Sequence, residues 1–257
     1  MPDNINTFVD LFGGGFNVGI NVNAKRVIYN DLCEQVSKLL LKLYQTPTED
    51  CLKEIDLLTN EYQLTKENQE GFSKLREYYN SENKNPLVFY TLICYAFNNQ
   101  IRFNSKGSYN MPFGKDRSSF NPSLREKFIT FVDGLHNKTC KFASRDFTDL
   151  KINKLTSNDF VYCDPPYLNT TAAYNENGGW TEQKEQCIRD MLVDASSNGI
   201  RFGLSNNATT NTTLISWAEL NGFTVYHLNI NYSNCNYQKK DTGKKDDEVY
   251  ITNYIKT

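Results

Sequence analysis

Asp164-Pro165-Pro166-Tyr167 stands directly after the apolar run Phe160-Val161-Tyr162-Cys163. Two prolines stiffen the chain there and remove two amide donors, so carbonyls around Pro165 lack a local partner. A carboxylate beside such a carbonyl is an acceptor pair that matches the two N–H bonds of an exocyclic amino group, and the Tyr167 ring can stack on a flat heterocycle. A turn merely punctuated by Pro-Pro accounts for the same residues without chemistry. The second candidate is Asp10-Leu11-Phe12-Gly13-Gly14-Gly15, followed by Asp31. A glycine turn after a strand, with an acid about 20 positions on, has the logic of a nucleotide cradle. It lacks a G-x-G-x-x-G pattern, so a nicotinamide site is not favoured, and a purely structural turn stays open. The third is a basic stretch: Asn98 to Lys154 carries eleven Lys and Arg against five Asp and Glu in a chain of net charge −2. Such a segment is either a polyanion-binding surface or an ordinary solvated face.

These residues need elements to hold them. Thr7–Phe12 and Arg26–Asn30 read as strands around the glycine turn, and Val36, Leu39, Leu40 and Leu43 recur at helical spacing up to about Tyr44. Helical patterns follow at Thr48–Thr59, Thr65–Tyr79 and Pro86–Phe97, and Ile101–Phe113 reads as a β-hairpin around Gly107. Strand and helix patterns then alternate: Phe160–Cys163, Glu182–Ala195, Ile200–Ser205 and Asn211–Asn221. Phe223–Tyr232 and Glu248–Tyr254 close the chain as strands, which predicts a mixed sheet with an antiparallel edge. The fold class is α/β, with residues 46–140 inserted between 1–45 and 141–257.

The chain has 257 residues, 39% hydrophobic, 13% aromatic and 23% charged, which excludes a fibrous or disordered protein. No apolar run reaches the ~18 residues of a membrane helix and no signal peptide is evident, so a cytoplasmic location is expected. The seven cysteines lack CxxC spacing, so they read as reduced, mostly buried thiols. With only His136 and His227 available, no metal centre is expected.

Taken together, Phe8–Gly15, Asn30-Asp31, Asp146-Phe147, Phe160–Tyr167 and Leu204-Ser205-Asn206 resemble the Dam-type (alpha-group) DNA adenine-N6 methyltransferases, in order and over nearly the whole chain. The resemblance implies a Rossmann-like S-adenosylmethionine-dependent methyltransferase sheet with an inserted, mainly helical target-recognition subdomain that carries a β-hairpin. It implies that Asp10, Phe12, Gly14 and Gly15 line the methionine end of S-adenosylmethionine, that Asp31 holds the ribose, and that Asp146 and Phe147 flank the cofactor's adenine. Asp164, Pro165, Pro166 and Tyr167 would grip a target adenine flipped from duplex DNA, with Leu168–Trp180 closing as a lid. Arg102, Asn104, Gly107, Asn110, Pro112, Phe113, Gly114 and Lys115 are similar to a hairpin that reads GATC, with Arg102 on a guanine. No residue matches the lysine that family members carry ahead of the first strand, an expected weakness of the cofactor pocket. The alternatives are a DNA-binding relic without activity and a methyltransferase of an RNA base amine. A monomer, alone or beside a restriction nuclease, is expected.

Overall fold

The computed structural model describes residues 1–81, 84–168, 179–228 and 247–255. The chain runs through β1 (Ile5–Asp10), α1 (Asn17–Asn21), β2 (Ala24–Asn30) and α2 (Glu34–Gln45). It continues through α3 (Thr48–Glu61), α4 (Gln69–Ser81), α5 (Pro86–Tyr95), α6 (Pro122–His136) and β3 (Cys140–Ala143). Then come β4 (Phe160–Cys163), α7 (Glu182–Ser197), β5 (Arg201–Asn207), α8 (Leu214–Leu220), β6 (Thr224–Leu228) and β7 (Glu248–Thr252).

The strands form one sheet in the order β3-β2-β1-β4-β5-β7-β6. From β1 the chain steps outward to β2 and β3, then returns through β4 to the other side of β1 and proceeds to β5. That reversal leaves a crevice at the carboxyl ends of β1 and β4, where open α/β sheets bind ligands. The antiparallel strand is not the edge that the sequence predicts. β7 lies between β5 and β6, antiparallel to both. Burial explains the exchange: Val249 and Ile251 of β7 are fully buried, whereas Tyr226 and Leu228 of β6 face solvent and suit the rim.

Two apolar layers cover the sheet. Phe8, Phe160 and Tyr162 point into a cluster with α2, α3, α4, α5 and α6, whereas Val9, Leu11, Val161, Cys163 and Leu204 face Ile188 and Leu192 of α7 and Leu214 and Ala218 of α8. Helix α5 is apolar nearly all round and sits at the centre of the helical layer, packed by α2, α3 and α4. Asn85 caps it through the Leu87 amide and Pro86 occupies its first turn.

Several sequence expectations shift. β1 ends at Asp10 because Leu11, though still bonded to the Tyr162 carbonyl, already enters the turn. Helix α4 starts at Gln69 instead of Thr65, since the Thr65 hydroxyl accepts from Glu67 and Asn68 and holds a polar turn ahead of it. Helix α6 was not foreseen, although Asn121 caps Leu124, Pro122 opens the helix, and Phe128, Val132 and Leu135 share one face. Strand β3 escaped notice as a four-residue edge strand with one buried side chain. The hairpin at Ile101–Phe113 shrinks to a loop with one antiparallel bridge, Phe103 to Tyr109. Two backbone bonds cross it, Asn104 N to the Ser108 carbonyl and Asn110 N to the Arg102 carbonyl, and the Asn104 side-chain carbonyl takes the Lys106 and Ser108 amides. The Phe103 and Tyr109 rings pack on Phe89. Most of the lid expected at Leu168–Trp180, the end of the strand expected to reach Tyr232, and Cys235 lie outside the described residues.

The six described cysteines are free thiols, and only Cys187 is exposed. Among the described residues no helix is long and apolar enough to cross a membrane. Leu92 of α5 is fully buried while Leu57 is 67% exposed. Leu92→Ala should therefore cost about 2–5 kcal/mol in urea unfolding, against less than about 0.5 kcal/mol for Leu57→Ala. Equal losses would remove α5 from the centre of the core.

Candidate active site

The turn after β1 is shaped by steric necessity at Gly13, where a Cβ would run into the Tyr29 ring. Gly13 donates to the Asn30 carbonyl at 2.8 Å, which clamps the turn to the end of β2. Gly14 adopts φ 46°, a left-handed conformation that favours glycine, and donates to Asp31 Oδ2 at 2.9 Å. A Cβ on Gly14 would meet nothing within 4 Å, so the turn presents open backbone on its outer side. Phe16 is also left-handed, at φ 66°, and its fully buried ring packs edge-on against Tyr29 and Phe142. Packing thus holds a conformation that a bulky residue otherwise avoids.

Asp10 ends β1 level with Tyr162 of β4 and is 1% exposed. Its Oδ2 accepts the Gly19 amide at 3.1 Å. Burial, opposed by that bond and reinforced by the charges of Asp164 and Asp31, pushes its carboxyl up to about 7. Asp164, reached by solvent at the mouth of the crevice, is pushed up to about 6 by desolvation and by Glu248, against a hydrogen bond from Tyr167. Asp31 completes the acidic group and accepts from Cys33 N at 2.8 Å as well as from Gly14. Among the described residues none of these three carboxylates has a cationic partner. A positively charged ligand answers that imbalance, and the open backbone of Gly14 and Gly15 leaves room for it. S-Adenosylmethionine, with an ammonium and a sulfonium, has the charge this donor and acceptor set fits.

Phe12, Phe147 and Trp180 form an aromatic wall, with ring centroids 5.3 to 5.6 Å apart. Asp146 caps the short helical turn Phe147–Asp149 by accepting from the Thr148 amide and hydroxyl. Burial pushes its carboxyl up, but those bonds outweigh it and hold the group below the usual carboxylate range. Asn30 joins the parts, donating to the Leu11 and Arg145 carbonyls and accepting from Arg145 N. Trp180 donates to Glu185 at 2.7 Å, and Glu185 with Arg189 and Asn211 forms a buried polar network behind it. Pro165 is buried, Pro166 half-buried, and the Tyr167 hydroxyl donates to Glu248 at 3.0 Å.

The sequence candidates therefore fall into two groups. Asp10, Phe12, Gly14, Gly15, Asp31, Asp146, Phe147, Asp164 and Tyr167 gather around the carboxyl ends of β1, β2 and β4. Arg102, Asn104, Pro112 and Lys115 lie on a separate loop tied to α4, where Arg76 and Asn80 donate to the Met111 and Tyr109 carbonyls. Arg102 donates through Nε to Asn110 Oδ1 at 2.9 Å and through Nη2 to the Asn110 carbonyl at 3.0 Å. Pro112 and Lys115 are exposed, while Asn104 closes the turn that carries Gly107 at φ 74°. The sequence reading names Trp180 only as the end of a lid and Asn30 only beside Asp31, and gives no place to Asn207 and Glu248. Only the pairing of strands brings the last two to Tyr167, so no local pattern could have found them.

Comparison with known proteins agrees with this geometry. The type II methyltransferase M.FokI of Planomicrobium okeanokoites is 43% identical over 99% of this chain and 40% of its own length. The modification methylase StsI of Streptococcus sanguinis is 38% identical over the same shares. A DNA adenine methylase of Vibrio cholerae is 32% identical over 52% of this chain and 49% of its own. The chain thus spans about two fifths of the length of the first two relatives. A family model described as D12 class N6 adenine-specific DNA methyltransferase matches residues 1–241, and the chain belongs to that family.

Proposed function

We propose that this chain transfers a methyl group from S-adenosylmethionine to N6 of adenine in duplex DNA, as the modification arm of a restriction–modification pair, with GATC as its site. The observation that carries the reading is the Asp164 carboxylate, set by two prolines at the sheet's switch point beside the uncompensated acid of Asp10.

When bound, S-adenosylmethionine supplies an activated methyl group, so the protein's share is orientation, electrostatics and exclusion of water. Asp10 and Asp31 would hold its positive and hydroxyl-bearing parts, and Phe12, Phe147 and Trp180 would take its flat ring. Each Asp31 oxygen already accepts one amide and keeps a second lone pair for a ribose hydroxyl. Asp164 and the Pro165 carbonyl accept the two N–H bonds of the target amine, drawing its lone pair out of conjugation and toward the methyl carbon. Flipping the base out of the duplex costs a few kcal/mol, offset in part by stacking on Tyr167. Ionised Asp164 is the stronger acceptor and carries no competing O–H, so low pH works against the reaction.

Residues 46–140 are the DNA-reading part in this proposal. With one N–H of Nη2 and Nε committed to Asn110, Arg102 keeps the outer edge of its guanidinium for the two acceptors of a guanine. Holding the rest of the fork in its own loop fixes that edge before DNA arrives.

The first test is transfer of labelled methyl to unmethylated duplex DNA with and without GATC, beside an RNA duplex of the same sequence. Incorporation confined to GATC-bearing DNA is expected; incorporation into RNA alone sinks the reading. Asp164→Asn should remove transfer at least a thousandfold while the thermal midpoint holds. Arg102→Ala should relax discrimination at one guanine by about 1–3 kcal/mol and leave non-specific binding nearly intact. An unchanged preference assigns that guanine to another residue.

A further expectation comes from the acids. Asp10 titrates near 3.8 when unfolded and about 7 when folded, so between those values the folded protein holds the extra proton. Stability of the ligand-free protein therefore falls as pH rises through that window, by up to about 1.4 kcal/mol per pH unit. Asp10→Asn should raise the thermal midpoint at pH 8 and leave it unchanged at pH 4. Saturating S-adenosylmethionine should protect the wild type more at pH 8 than at pH 5, and calorimetric scans at both values decide the matter.

A further inference from the structure

Glu248 is a carboxylate in a costly place. It opens β7, is 6% exposed, and forms no ion pair among the described residues. A buried charge without a counter-charge persists only where its hydrogen bonds are well used. Both of its oxygens are engaged: Oε1 accepts from Asn207 Nδ2 at 3.1 Å, and Oε2 accepts from the Tyr167 hydroxyl at 3.0 Å. Asn207 is its direct partner across the β5–β7 pairing and is itself locked, since its Oδ1 accepts the Thr209 and Thr210 amides.

The phenol has a second neighbour. Tyr167 also lies within reach of Asp164 and favours its ionised form, so one hydroxyl, held by Glu248, serves two carboxyl groups. A phenol has one proton to give. While Glu248 is ionised it competes with Asp164 for that proton, and its charge disfavours a second charge on Asp164. Among the described residues, the other groups facing Glu248 do not relieve this. Asn207 from β5 is neutral, and Leu228 of β6 is apolar. Tyr250, on the same face of β7, is turned to Tyr254, and the adjoining Asp247 is paired with His227 at 2.8 Å.

We propose that Glu248 is a positioning residue for the transfer reaction, holding the Tyr167 ring at the place where a base stacks and setting, through the shared hydroxyl, when Asp164 is free to accept from the amino group. This rests on the function proposed above. It ties the catalytic loop after β4 to the distant strand β7, so the stacking ring is braced by the sheet and not by its own loop. A Gln at 248 has one acceptor for two donors. With that acceptor kept by Asn207, the amide of Gln faces the phenol oxygen and turns the phenol proton to Asp164.

The test has two readouts. The titration of the Asp164 carboxyl is followed by 13C NMR in the protein alone, with Asp164→Asn to assign the signal. From a starting midpoint of about 6, E248Q should move it down by about one pH unit, because a negative charge leaves and a hydrogen bond arrives. Y167F should move it up, because the contribution of the Tyr167 hydroxyl that favours the ionised form is lost. Opposite signs are a signature that a merely structural role of either side chain does not produce; unmoved midpoints, or shifts of one sign, overturn the proposal. In the transfer assay E248Q should keep kcat within about threefold at pH 8 with its acidic limb displaced to lower pH. E248A and Y167F should each raise KM for duplex DNA about tenfold, with the double variant no worse than either. A wild type that transfers methyl while the midpoints stay fixed overturns this inference alone. A wild type that transfers none while the midpoints move as stated overturns the proposed function and leaves the brace in place.

Discussion

Strand β1 has parallel neighbours on both sides, β2 and β4, so any side chain at its carboxyl end is enclosed before a ligand arrives. Asp10 occupies that end, and enclosure is what drives its carboxyl toward neutrality. The rest of the site responds to this one constraint. Gly19 comes close enough for its amide to bond Asp10, and a Cβ there would collide with the Phe16 ring. The left-handed Phe16 in turn starts helix α1 and shapes the glycine turn. A carboxyl that water cannot stabilise holds its proton to higher pH, and a neighbouring positive charge would restore its ionised form.

The surrounding structure keeps the two halves of the crevice from drifting apart. On one side Asn30 stitches the glycine turn to the segment that carries Asp146 and Phe147. On the other, Trp180 is pinned by Glu185, whose second oxygen takes Arg189 and Asn211 from behind. Arg189 also lies over the Trp217 ring, which links that buried network to α8. Aromatic rings and satisfied polar groups alternate along this wall. The rings supply area and the hydrogen bonds supply a single arrangement.

Much of this could be read from residues close in sequence. Strand β4 was foreseen residue for residue because four apolar residues end at Asp-Pro-Pro, and helix α2 because its leucines recur on one face. The glycine turn and Asp31 are legible as a spacing. What the sequence hid depends on pairing across the sheet. Glu248 looks like a polar start to an apolar strand until β7 is seen to lie beside β5, which puts it opposite Asn207 and under Tyr167. The loop around Gly107 holds less regular structure than the sequence predicts. The glycine turn at Gly107 predicts a hairpin, and the structure keeps its tip, with the Asn104 and Asn110 amides bonded across to Ser108 and Arg102, while the Asn104 side chain takes the Lys106 and Ser108 amides and the rings turn inward to Phe89. Helix α6 had its signals in plain view, a capping Asn121, a first-turn Pro122 and a regular apolar face.

The place of β7 in the sheet has a consequence for how the molecule is made. During synthesis β1, β4 and β5 all leave the ribosome before Glu248 exists, and the sheet stays open at β5 until β7 arrives and β6 can take its place at the rim. Tyr167 is translated some eighty positions ahead of the acid that tethers it. A nascent chain can complete its glycine turn and its acidic crevice early. It cannot brace the Tyr167 ring until β7 has been made.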